Sequence, residues 1–100
     1  MIDGDYEIVI DTPMGQKLGA VALRVDGSAV IGDIDAPFIG KQHVRGTLDG
    51  GDSFSASGIF KVMFVGKIEY ALRGKVEGDD LRIDIESNKG AFVLLGRRVR

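Results

Sequence analysis

The chain of 100 residues contains no cysteine, a single histidine and no long apolar run. Without cysteine there is no disulfide, no thiolate nucleophile and no thiolate metal site. No apolar run approaches the length that spans a membrane, and the segment from Met1 to Asp5 lacks the basic and apolar regions of a secretory signal. The sequence therefore predicts a cytoplasmic protein.

The chain also lacks a strong charge of either sign. It carries 13 basic and 15 acidic residues, a formal net charge of -2, and 44% of its residues are hydrophobic. This composition and length predict one globular domain over residues 1–100. The small net charge predicts no bulk attraction to nucleic acid or to an anionic membrane.

Helical periodicity is missing as well, since no convincing helical stripe runs beyond about two turns. Apolar and polar residues instead alternate with period two, interrupted at regular spacing by turns rich in the fifteen glycines. We predict eight strands: Tyr6–Asp11, Lys17–Asp26, Ala29–Asp35, Lys41–Asp49, Asp52–Phe60, Lys67–Glu77, Leu81–Glu86 and Ala91–Arg98. Closing the sheet buries one face and removes both edges. The predicted fold is therefore an all-β, eight-stranded, antiparallel up-and-down β-barrel.

The connections between these strands alternate in character. Three are acidic glycine turns, at residues 26–28, 49–52 and 77–80, and the interleaved ones, at residues 12–15, 36–40, 60–66 and 87–90, are apolar or contain few charges. Successive turns of a meander fall at opposite ends of the sheet, so one end should be acidic and the other largely apolar. Five glycines fall on the inward register, where a small barrel needs close backbone approach: Gly32, Gly46, Gly58, Gly74 and Gly96.

Three segments carry a family resemblance: Asp11-Thr12-Pro13-Met14-Gly15, the turn Val76-Glu77-Gly78-Asp79, and Gly96-Arg97-Arg98-Val99. With them the chain resembles a family of roughly hundred-residue uncharacterised bacterial proteins with a calycin-like (lipocalin-like) β-barrel. The resemblance implies such a barrel and an association of some members with flavin-dependent oxidoreductases, and it supplies no catalytic residue. Residues 61–66 depart from the family, which has a second Thr-Pro-Met-Gly there.

The apolar end is the first candidate site. A barrel mouth admits one small hydrophobic molecule, and we predict ligand contacts from Met14, Phe38, Ile39, Phe60, Met63 and Phe64, with hydroxyls from the inward Tyr6 and Tyr70. Two alternatives stay open. Phe38, Phe60 and Phe64 fold inward as a plug, with each tyrosine bonded inside the protein, or the apolar end contacts another protein. A ligand site requires a pocket of about 300 Å³ or more at the rim formed by Met14, Phe38 and Phe64.

The outer wall is the second candidate site. Phe92-Val93-Leu94-Leu95 is apolar on both faces, so an inward Phe92 and Leu94 leave Val93 and Leu95 outside. The outward residues of the first two strands are also apolar, and such a patch is typical of an interface. We predict a homodimer through Val9, Leu18, Ala20, Ala22, Val93 and Leu95.

The titratable residues indicate no catalytic or metal site. His43 has no second ligand at useful spacing for a metal and is interpreted as a surface residue, although Asp33 or Asp35 on the next strand could pair with it as an acid or base. We predict a non-enzymatic binder of a small hydrophobic molecule, without a cofactor. The alternative is an interaction or accessory module with a filled core, and a concave site shared by His43 and a carboxylate would favour an enzyme.

Overall fold

A computed structural model describes residues 1–37 and 39–100, so the predicted ligand contact Phe38 lies outside the described residues. Eight antiparallel strands form a closed barrel in the order β1 to β8, and the predicted barrel is confirmed. The strands are β1 (Gly4–Thr12), β2 (Gly15–Asp26), β3 (Ala29–Ala36), β4 (Gly40–Gly50), β5 (Ser53–Val62), β6 (Gly66–Glu77), β7 (Asp80–Ser87) and β8 (Gly90–Arg98). β1 closes on β8 from Tyr6 opposite Arg98 to Val9 opposite Leu95.

Alternation of side chains sets the register of every strand. In β6, for example, each second residue from Ile68 to Val76 is buried and the residues between them are exposed. Because neighbouring Cα partners share a face of the sheet, Leu72 lies inside with Ala56 on one side and Ile85 on the other. The inward residues of all eight strands therefore fill one central core.

The strands extend further than predicted, most clearly in the hairpin of β5 and β6. Residues 60–66 are predicted to form a connection, but pairing continues through Phe60 opposite Ile68 and Val62 opposite Gly66. Only residues 63–65 remain in the turn. The longer ladder satisfies backbone groups that a seven-residue loop would leave to water.

One inward glycine shows how the core closes around aromatic rings. Gly74 is the Cα partner of Phe54, and a Cβ built on Gly74 would overlap the Phe54 ring. Phe54 is 3% exposed and lines an internal void of only about 10 Å³, so its ring has little free space to occupy instead. The glycine provides the room in which this ring packs.

The two ends of the barrel differ as the turns predict. The connections β2–β3, β4–β5 and β6–β7 share the acidic end with residues 1–3, while the other four connections lie at the apolar end. Ile2 is buried against the core at the acidic end. Among the described residues, no helix has the length and apolarity needed for a membrane crossing.

Candidate functional site

A pocket of about 250 Å³ opens at the apolar end of the barrel. Its wall combines the inward residues nearest to that end with residues of the adjoining connections. Pro13 and Pro37 belong to the β1–β2 and β3–β4 connections. The apolar lining is Ile10, Pro13, Pro37, Ile39, Phe60, Ile68, Ile85, Phe92 and Leu94.

The core below this pocket is filled. Side chains of the six strands from β2 to β7, such as Leu23, Phe54 and Leu72, surround a void of only about 10 Å³. This volume is near the lower limit for one water molecule. The Phe60 ring, which lines the pocket, stacks on Tyr70 with centroids 3.9 Å apart and 13° between the ring planes. The pocket is therefore confined to the mouth of the barrel.

Two polar residues, Asp11 and Ser87, complete the lining. The Ser87 hydroxyl donates a hydrogen bond to the carbonyl of Gly90 (2.6 Å) and accepts one from the backbone N–H of Lys89 (3.1 Å). This hydroxyl is occupied in holding the β7–β8 turn. Asp11 is exposed, so its carboxylate lies where the apolar surface meets water.

The structure separates the predicted ligand contacts into two groups. Ile39 and Phe60 are buried and line the pocket. Met14 and Met63 are each 79% exposed and Phe64 is 99% exposed, and all three lie outside the lining. The plug alternative is likewise correct for Phe60 and wrong for Phe64. Phe64 has φ = 69°, and the turn that contains it presents the ring to solvent.

The prediction that Tyr6 and Tyr70 offer hydroxyls to a ligand at the mouth is wrong for Tyr6. Its hydroxyl donates a 2.6 Å hydrogen bond to the carbonyl of Ile2 at the acidic end. Tyr6 is the first inward-facing residue of β1 and lies near the start of this strand, at the end remote from the mouth. Tyr70 is buried beneath Phe60 and does not belong to the pocket lining. Burial raises the pKa of both phenols.

The predicted site residues do not include Ile10, Ile68, Ile85 and Leu94, because alternation indicates only that these residues face inward. A usable signal was their position along the strand. Ile10, Ile68 and Ile85 are each two residues from the strand end that enters an apolar connection. In an up-and-down barrel, the inward residues nearest to those connections must form the mouth.

The outer-wall candidates share the outer face of the sheet but differ in the charge of their neighbours. Val9 is the Cα partner of Leu18 on one side and of Leu95 on the other, so these three form one row across β2, β1 and β8. Leu18 and Leu95 are 64% and 52% exposed. Val93 lies next to Leu95 on β8, and Ala20 lies next to Leu18 on β2. The Cα partners of Ala20 are Glu7 and Asp35, and those of Ala22 are Asp5 and Asp33. The two alanines therefore continue the row along β2 between acidic residues.

Ala20 and Ala22 also line a groove of about 610 Å³ on the outer wall. His43 and Asp33 line the same groove and face each other across β3 and β4, with Nδ1 2.8 Å from Oδ1. His43 thus shares a concave surface with a carboxylate, which is the arrangement that the enzyme alternative requires. However, both side chains are about two-thirds exposed (65% and 68%), and the described residues that line the groove include no serine, threonine or cysteine nucleophile.

The described residues contain no group of three or more His, Asp or Glu side chains placed to hold a metal ion. No protein-family model and no curated protein matches the chain. The chain is similar to a solved structure described as a redesigned β-barrel, with a TM-score of 0.65 and 8% sequence identity over 99% of this chain and 91% of that chain. At this identity, the likeness shows a shared β-barrel fold alone.

Proposed function

We propose that this barrel is a non-enzymatic binding protein that takes a small hydrophobic molecule into the pocket at its apolar end. The observation that carries the proposal is a concave, almost wholly apolar mouth above a filled core. Pockets of this kind are mostly apolar, with a few polar groups at the edge that orient the ligand. Asp11 at the rim provides such a group.

The pocket volume limits the ligand class. Ligand pockets commonly measure about 300 to 1,000 Å³, and the mouth, at about 250 Å³, falls below the predicted minimum for a ligand site. An apolar cavity of about 150 Å³ admits benzene. A monocyclic or bicyclic aromatic molecule or a short alkyl chain matches this volume, whereas a sterol or a long-chain fatty acid would extend into solvent.

The calycin-like assignment is part of this proposal. An antiparallel eight-stranded barrel with a ligand mouth agrees with the family that the three quoted sequence segments resemble. The same resemblance makes a flavin-dependent oxidoreductase a candidate partner protein, to which the barrel would deliver or from which it would receive a small molecule.

Isoleucine methyl groups provide a direct test. The chain has ten isoleucines. Four line the pocket, namely Ile10, Ile39, Ile68 and Ile85, and six lie elsewhere, namely Ile2, Ile8, Ile31, Ile34, Ile59 and Ile83. In protein labelled at the isoleucine δ1 methyl groups, titration with indole or hexanol should shift the four pocket signals and leave the other six in place. Shifts spread evenly over all ten signals, or no shift with either probe, would refute the pocket as a binding site.

A matched pair of variants tests the volume argument. Ile68→Phe places a larger ring in the pocket, and we expect indole binding to weaken by about tenfold or more because the space is no longer available. Ile59→Phe makes the same change one residue before Phe60, on the outer face, where Ile59 is 53% exposed. This variant should bind indole as the unaltered protein does, and equal losses in both variants would contradict the proposal.

The second proposal is a homodimer through the row of Leu18, Val9 and Leu95 with Val93 beside it. It is favoured because this row is apolar while Arg82 and Asp84, the partners of Leu95 and Val93 on β7, are charged. Sedimentation equilibrium should give a dimer for the unaltered chain and a monomer for Leu95→Lys. A monomer at all accessible concentrations would contradict the proposed dimer interface.

A further inference from the structure

Large apolar side chains project from two connections at the apolar end, outside the pocket. Met14 lies in the β1–β2 connection, and Met63, Phe64 and Val65 form the β5–β6 turn. Their exposed fractions run from 52% for Val65 to 99% for Phe64. β1–β2 and β5–β6 lie on opposite sides of the ring of eight strands, so these apolar tips flank the mouth on both sides.

The conformation of Phe64 is unfavourable for the isolated fold. Its φ of 69° makes Phe64 the only residue other than glycine with positive φ in residues 1–37 and 39–100, and a bulky side chain disfavours that region. Full exposure means that no packing within the described residues compensates for the strain. A strained backbone that presents a large side chain to solvent is characteristic of a functional contact.

The charges around the tips differ from those of the whole chain. Five of the six lysines lie within two residues of the strand ends at this rim: Lys17, Lys41, Lys61, Lys67 and Lys89. Three carboxylates lie in the same zone, on Asp11, Asp35 and Glu86, so five positive against three negative charges give the rim a formal charge of +2, whereas the chain as a whole carries -2.

Lys61 and Lys67 make this arrangement more specific. They are Cα partners across the β5–β6 hairpin, directly beside the exposed turn. Like charges at opposed positions destabilise a hairpin, and no ion pair within the described part of the chain joins either lysine to a carboxylate. The hairpin thus places two positive charges side by side under an exposed phenylalanine.

We propose that the apolar rim docks on the surface of an anionic lipid membrane. Phe64, Met63 and Met14 would enter the boundary between head groups and acyl chains, and the lysines would lie at the level of the lipid phosphates. Exposed apolar side chains combined with nearby basic residues bind such interfaces through burial and electrostatic attraction together, and lysine stems extend along apolar surface while the ammonium stays in the polar layer.

A lipid surface accounts for the rim better than a second copy of the chain. Two rims facing each other would bring their positively charged lysines together, and this repulsion opposes association. The net charge of the chain predicted no attraction to an anionic membrane because it averages this rim with an acidic opposite end. The proposal does not require a ligand in the pocket, since the docking residues lie outside its lining.

Co-sedimentation with vesicles tests the proposal. The intact chain should bind vesicles that mix phosphatidylglycerol with phosphatidylcholine, should bind phosphatidylcholine alone much more weakly, and should be released as salt is added. Phe64→Asn replaces the largest exposed apolar side chain with a residue that tolerates positive φ. This variant should bind the anionic vesicles about tenfold or more weakly. Val99→Asn, an equally polar change at an exposed site of the opposite end (65% exposed), should have no effect.

Charge variants complete the test. Lys61→Ser and Lys67→Ser should each weaken binding to the anionic vesicles by about fivefold, while Lys75→Ser, far from the rim, should not. Ile68→Phe, which narrows the pocket, should bind vesicles normally, so a failure of the proposed ligand function would be distinguishable. Absence of binding to anionic vesicles, or binding that Phe64→Asn leaves unchanged, would overturn the proposal. Self-association lost in Phe64→Asn without vesicle binding would assign the rim to a second copy instead.

Discussion

The guanidinium of Arg98 lies over the ring of Tyr6, with its carbon 5.1 Å from the ring centroid. The same guanidinium donates hydrogen bonds to the carbonyls of Met1 and Asp3, and its Nε lies 3.2 Å from Asp79. Arg98 therefore joins the last strand to the segment that carries the buried Ile2. This contact closes the acidic end of the barrel.

Removing this guanidinium should destabilise the fold. Hydrogen bonds from a charged group contribute about 1.5 to 3 kcal/mol, and Arg98→Ala should lower the free energy of unfolding by an amount in this range. Arg98→Lys should restore little of it, because an ammonium lacks the planar fork. Urea denaturation provides the measurement. Arg97→Ala is the control, because Arg97 is exposed and lies 4.0 Å from Asp80; a cost as large as that of Arg98→Ala would contradict the assigned role.

The two buried tyrosines should limit stability at high pH. Burial raises the pKa of Tyr6 and of Tyr70 above the ordinary value of 10.0. A phenol whose pKa is higher in the folded state keeps its full stabilising effect below the unfolded-state pKa and loses it as pH rises through the window between the two pKa values. The free energy of unfolding should therefore fall above about pH 10. Tyr70→Phe should flatten this fall, and an identical alkaline slope in the variant would refute the explanation.

The contact between Gly74 and Phe54 predicts an unusual pattern of double-variant stability. Gly74→Ala should cost about 1 to 3 kcal/mol, as overpacked cores do, because the new methyl group would overlap the ring. Phe54→Leu should also destabilise the fold by itself. In the double variant, the smaller side chain leaves room for the methyl group. The double variant should therefore lose less free energy of unfolding than the sum of the two single losses. Strict additivity in urea unfolding would show that the ring does not confine Gly74.

Much of the fold is predictable from the sequence because two signals agree along the whole chain. Alternation defines which residues face inward, and glycine turns define where strands end, so Ile68 and Leu72 are assigned to the core correctly. Inward orientation does not specify height along the barrel. Tyr6 and Ile10 alternate on the same strand, yet Tyr6 contacts Ile2 at the acidic end and Ile10 lines the mouth. Counting residues from the apolar connections separates the two.

The rim was harder to predict for a physical reason. An aromatic residue in a turn is expected to fold inward, and nothing in the letters Met63-Phe64-Val65 indicates a positive φ at Phe64. The backbone conformation of the turn decides which way the ring points. Likewise, the pairing of Lys61 with Lys67 depends on the exact turn length, and the predicted connection is four residues longer than the turn of residues 63–65.

Phe64 should therefore show opposite effects on stability and on binding. Asparagine tolerates positive φ better than phenylalanine, and the exposed ring contributes no packing, so Phe64→Asn should raise the free energy of unfolding by about 0.5 to 1 kcal/mol. The neighbouring change Met63→Asn removes a similar exposed side chain at a residue without positive φ and should not stabilise the protein. Urea denaturation of both variants provides the comparison. If Phe64→Asn lowers stability, the ring makes a contact within the fold, and the case for an external partner at this turn is lost.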